Sequence, residues 1–115
     1  MEHQEYFQNL DEIEKCWKEL KNSGFNQSTR DKMWGLCMRG QMLFWQIAAD
    51  SKNKGETMVV SVPAFERAVM LLEHEHRYRD AVRMCKEANE WEINTDWYTK
   101  RIVKLNKKIY AFFSL

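Results

Sequence analysis

The segment QEYFQNLDEIEKCWKELKN, residues 4–22, returns an apolar side chain every three or four positions, at Tyr6, Leu10, Ile13, Trp17 and Leu20, with charges between them. That period lays one face of an α-helix on a core and turns the opposite face to water. Similar spacing recurs further along the chain, while helix breakers are scarce, with four glycines and one proline in 115 residues. An all-β sandwich needs far more turn signals than that. The chain therefore reads as all-α, an antiparallel bundle of helical hairpins with about five helices. The spacing predicts helices over 4–22, 29–49, 63–75, 77–91 and 95–113. Length and apolar content fit a single helical domain, with an N-terminal helix pair at 1–49, a linker at 50–62 and a C-terminal part at 63–115.

Local signals set the expected boundaries. Gly24 in "NSGF" suits the left-handed conformation that closes a helix. "STRD", residues 28–31, reads as a capping box, with Ser28 receiving an early backbone N–H and Asp31 reaching back to it. "DSKNKGETMVVSVP", residues 50–63, is the linker, polar at first and then briefly extended at Thr57–Val60. Ser61 or Val62 should cap the third helix, with Pro63 in its first turn where a missing N–H costs nothing. In "EINTD", Asn94 or Thr95 should cap the last one.

The second helix is apolar on nearly every side. Met33, Trp34, Leu36, Cys37, Met38, Met42, Leu43, Phe44, Trp45 and Ile47 cannot share one stripe. Such a helix is either central in its own domain or buried in part against a partner. In a chain this small a central helix meets few neighbours, so the row Trp34, Met38, Met42 and Trp45 is the expected contact with another chain, a second copy included.

"LLEHEHRYRDAVRMCKEANEW", residues 71–91, holds two histidines and nearby carboxylates. His74 and His76 are two apart, so on a helix they point about 200° from each other. Helical zinc pairs sit four apart, which stacks both imidazoles on one face. No metal is expected, and Glu73 and Glu75 read as water-facing like His74. The apolar positions say more. Phe65, Ala68, Val69 and Leu72 precede Ala81, Cys85 and Ala88 in a second helix, and alanine-sized residues let two helices cross closely. Together with "HRYRDAVRMCKEA", where Tyr78 and Ala81 occupy the aromatic and small positions, residues 63–93 resemble a single tetratricopeptide hairpin. The resemblance implies a helix pair followed by a capping helix. It departs from the family at four positions: His76 stands for the turn glycine, Val69 for the small residue of the first helix, Cys85 for the aromatic of the second, and Ile93 for the closing proline.

The last helix sorts into two sides. Tyr98, Ile102, Leu105, Ile109 and Phe112 form a face to bury. Beside it run Trp97, Arg101, Lys104 and Lys108, with Lys100 and Lys107 adjacent. A basic row headed by a tryptophan suits phosphates and a stacked base, or an acidic protein segment, and is equally what a solvated helix face looks like. Overall net charge is only +1, so no whole-chain basic field announces nucleic acid.

The three cysteines, Cys16, Cys37 and Cys85, lie far apart among apolar residues and form no CxxC pair, which suits a reducing cytoplasm. The acidic, polar start has no signal-peptide character, and no apolar run is long enough to span a membrane. No GxSxG, GxxxxGK, HExxH or GxGxxG occurs, so neither an enzyme nor a cofactor is expected. The sequence points to a non-enzymatic protein–protein interaction module, a small regulator or inhibitor. The alternative is a small nucleic-acid-binding protein, or a regulator of nucleic-acid machinery, that uses the basic side of the last helix.

Overall fold

The computed structural model describes residues 3–54 and 62–113, with nothing stated for the side chains of residues 51–54 and 112–113. It is all-α, with helices α1 (Gln4–Asn22), α2 (Gln27–Lys54), α3 (Pro63–His74), α4 (Tyr78–Glu90) and α5 (Thr95–Phe113). The expected extended stretch Thr57–Val60 and the cap Ser61 lie outside the described residues, as does the side chain of Phe112. The chain packs as two compact units, Met1–Arg67 and Ala68–Leu115. The boundary falls within α3, whose first turn belongs with α1 and α2.

In the first unit, α1 and α2 form an antiparallel hairpin. Three cross-links between them run in opposite directions along the two helices, Arg39 to Glu5, Asn9 to the Leu36 carbonyl and Cys16 to the Thr29 carbonyl, and the long Lys32 side chain adds a contact to Glu19 near the turn. Tyr6, Ile13, Cys16, Trp17 and Leu20 of α1 are buried, and so are Met33, Cys37, Phe44 and Ala48 of α2. The hairpin closes tightest at Gly40. A Cβ there would run into the Asn9 side-chain oxygen, stand 2.7 Å from the Ala64 methyl and 3.3 Å from Ile13 Cδ1. Two buried polar side chains flank this point, and both are satisfied. Asn9 donates to Leu36 O at 2.9 Å, and Gln41 donates to Ala64 O at 3.2 Å. The start of α3 is then fixed by Phe65, edge-on to Phe44 at 5.8 Å, and by Arg67. The Arg67 guanidinium bonds Glu14 through two nitrogens and lies 4.8 Å from the Trp17 ring centre.

In the second unit α5 packs along α4 after the turn at residues 91–94. Ala81, Cys85 and Ala88 are fully buried on α4, as are Tyr98 and Leu105 on α5, while Ile102 and Ile109 are half-buried. The small side chains of α4 thus lie inward, as their spacing implied.

The helix ends explain the boundaries. Three helices finish in the same hydrogen-bonded motif, with a left-handed residue just past the end. After α1, Phe25 N–H bonds Leu20 O and Gly24 has φ 67°. After α3, Arg77 N–H bonds Leu72 O at 2.9 Å and His76 has φ 61°. After α4, Ile93 N–H bonds Ala88 O at 3.4 Å and Glu92 has φ 57°. His76, where the tetratricopeptide pattern has glycine, thus adopts the conformation that glycine would take. Ile93, at the proline position, is fully buried just beyond the left-handed residue.

Two local expectations change. Helix α2 starts at Gln27, not at a Ser28 capping box: Asn26 Oδ1 accepts the Thr29 N–H at 2.8 Å, and Asp31 accepts from the Gln27 side chain instead. Asparagine and serine are near-equal caps, so the candidates in "NQS" leave the choice to the preceding turn. That turn holds Ser23 Oγ against Leu20 O and receives Asn26 N–H. Helix α2 also continues to Lys54, past the expected end near residue 49. Ser51, Lys52, Asn53 and Lys54 include no glycine or proline to stop it.

Gly40→Ala should destabilise the chain by about 2–3 kcal/mol, because overpacking at the crossing outweighs the gain in helix propensity. Gly35→Ala serves as the control, since a Cβ at Gly35 has nothing within 4 Å. Urea unfolding of the two variants would separate these effects. A second series tests the turns. Glu92→Gly should add about 1 kcal/mol and His76→Gly about half as much, since histidine tolerates the left-handed region better than glutamate. Equal or lower stability in both variants would contradict this assignment.

Candidate interaction surfaces

The row on α2 divides by depth. Met38 and Met42 are 63% and 54% exposed, among the most open large apolar side chains described. Trp34 and Trp45 flank them and are half-buried. Trp45 is held edge-on against Phe65, ring centres 6.5 Å apart, so its position is set by the core of the first unit. Gly35, on the same side as Met38, leaves open space where a side chain would stand. The helix is long and its inward face is already complete through Met33, Cys37, Phe44 and Ala48. The outer methionines therefore add nothing to that core. Methionine is flexible and polarizable, and it suits surfaces that adapt to another protein.

The basic row on α5 is engaged differently. Glu73, at the end of α3, receives Arg101 Nε at 3.0 Å and Lys108 Nζ at 2.6 Å. Its side chain is only 14% exposed, so it is not the water-facing residue its neighbours suggested. Arg101 also lies 5.1 Å from the Trp97 ring centre, and Lys108 lies 5.5 Å from that of Tyr78. Burial pushes the Glu73 carboxyl up, but the Lys108 hydrogen bond and the charges of Arg101 and Lys108 outweigh it and hold its pKa below the usual carboxylate range. Two cations of the row thus serve as a clamp between α3 and α5. Lys104 and Lys107 are exposed and make no ion pair among the described residues, whereas Lys100 pairs with Asp96 at 3.0 Å. Val103 at 52% and Tyr110 at 71% exposure share the open side of α5 with these lysines.

Sequence spacing missed Glu73, Val103 and Tyr110. The last two step with Lys100 and Lys107 at intervals of three and four, a readable stripe hidden by the more conspicuous Trp97. Glu73 carried no such signal, because its partners are about thirty residues away.

The histidines stay apart from any ligand set. His74 and His76 are both exposed, and no group of three or more metal-ligating side chains occurs among the described residues. A cleft of about 250 Å³ in the first unit is lined by His3, Leu43, Gln46, Ile47 and Asp50. The thiols are internal. Burial pushes Cys37 and Cys85 up to about 12 and raises Cys16, so all three remain protonated and poorly nucleophilic at neutral pH. No described helix is long and apolar enough to cross a membrane. No protein-family model matches the chain, and no curated protein and no solved structure matches it either.

Glu73→Gln should cost about 1–2 kcal/mol at pH 7, since it leaves Arg101 and Lys108 without their carboxylate. The sign follows from the lowered pKa. Stabilisation by the carboxylate is complete above its unfolded value, about 4.3, and is lost as pH falls through the folded one. Unfolding followed from pH 7 to pH 3 should therefore show the two proteins converging in acid. Parallel curves would mean that the clamp carries no linkage.

Proposed function

We propose that the chain is a non-enzymatic protein-binding module, a small regulator or inhibitor that docks another protein on the outer face of α2. The observation that carries this reading is the exposure of Met38 and Met42 on a helix whose inward face is already filled. Apolar side chains clustered on an open helix face mark contact sites in soluble domains. Trp34 and Trp45 at the two ends of the row supply the rigid aromatic anchors that dominate binding energy at such contacts. The rest of the first unit serves as the frame. The Gly40 crossing and the Asn9–Leu36 bond hold α2 against α1 while leaving Met38 and Met42 exposed.

The helix–turn–helix at 63–90 supports a tetratricopeptide-like reading of that segment. Its turn residue, His76, is left-handed where the family uses glycine, and Ala81 and Ala88 are fully buried. That family likeness bears on architecture and leaves the docking face on α2. The nucleic-acid alternative draws on Lys104 and Lys107. It is the weaker reading, because Arg101 and Lys108 already bond a carboxylate.

The test is affinity capture from native extract with the wild-type chain, a Met38→Glu/Met42→Glu variant and a Lys104→Glu/Lys107→Glu variant. Losing apolar contacts at the centre of an interface costs about 2 kcal/mol or more, roughly thirtyfold in affinity. The methionine variant should lose the captured protein, and the lysine variant should keep it. The opposite pattern, with salt-sensitive nucleic acid in the captured fraction, would favour the alternative.

A further inference from the structure

We propose that the occupant of the α2 face is a second copy of this chain, packed α2 against α2 and antiparallel about a twofold axis midway between Met38 and Met42. This rests on the reading of that face as protein-binding and names its partner. A twofold contact uses the same patch on both subunits, so the patch must be complementary to itself. The row on α2 has that property. Trp34, Met38, Met42 and Trp45 are separated by four, four and three positions, so the pattern aromatic, Met, Met, aromatic reads nearly the same in both directions. Reversing one copy about the midpoint sets Met38 against Met42 of the second copy. It also sets Trp34 against Trp45 of the second copy at each end.

Three further observations fit this arrangement. Gly35 is one position from Trp34, and a Cβ there has nothing within 4 Å, which leaves room beside the row for the second copy's Trp45. Trp45 is already fixed by Phe65, so little freedom is lost when it docks. The row itself carries no charge, and the nearby Arg39 bonds Glu5 of its own α1 at 3.1 Å, so bringing two copies together opposes no like charges along the contact line. The row spans about eleven steps of helix, about 16 Å. A contact of that length is small for a specific dimer, so association should be reversible and concentration-dependent.

Sedimentation and light scattering on the full chain, from about 1 to about 500 µM, read this directly. The mass should rise from monomer toward dimer across that range. Met38→Glu alone and Met42→Lys alone should both remain monomeric. A one-to-one mixture of the two should associate again. The twofold sets the glutamate introduced in one variant against the lysine introduced in the other, and leaves a Met–Met pair on the opposite side. Circular dichroism checks that both variants stay helical, as expected for exposed positions. If wild type dimerises but the mixture does not recover, this register is overturned. If wild type stays monomeric throughout, the second copy is overturned. In that case, loss of a captured host protein by Met38→Glu would leave α2 as a docking face for another chain. Unchanged capture would remove the docking reading as well.

Discussion

The first unit depends on how closely a long helix can approach its neighbours at Gly40. Asn9 and Ile13 of α1 and Ala64 of α3 all meet the bare backbone there, and a single methyl group would collide with two of them. Close approach at this point carries the backbone carbonyl of Leu36 to the Asn9 amide and that of Ala64 to the Gln41 amide. These two amides therefore have their partners because the helices are near, and the helices are near because one residue lacks a side chain. The bidentate Arg67–Glu14 pair and the aromatic contacts of Phe65 build on that spacing.

Much of this fold is legible in the sequence, for reasons that differ by element. The limits of α1 and α5 follow from apolar periodicity and from turns such as "NSGF" and "EINTD", where local chemistry leaves few alternatives. Pro63 fixes the start of α3 for the same reason. Gly40 is not legible in this way, because a glycine inside a helix reads only as a weak point until its neighbours are known. The left-handed residues divide similarly. Gly24 advertises its conformation, whereas His76 and Glu92 adopt theirs because Leu72 and Ala88 offer carbonyls to the residue beyond. Those bonds, set by the ends of helices already formed, outweigh the side chain's own preference.

The candidate surfaces show the same division. Met38 and Met42 were visible as a surplus, since α2 has more apolar residues than one face can hold, and surplus is a local property. The basic row of α5 was visible as a charge pattern, but its use was not. Glu73 turns two of its cations into an internal clamp across a separation of twenty-eight residues to Arg101, which no periodicity encodes. A charge stripe read along one helix overstates the charge available to a partner whenever another helix supplies a counterion.

The three thiols have a consequence of another kind. Cys16 and Cys37 lie in the first unit and Cys85 in the second, all fully enclosed and all held protonated by their surroundings. A thiol-specific reagent meets them only when a helix lifts away from its neighbours. The chain thus carries native clocks for its own breathing, two on one unit and one on the other. Their labelling rates would resolve whether the two units open together or in turn, without any probe being introduced.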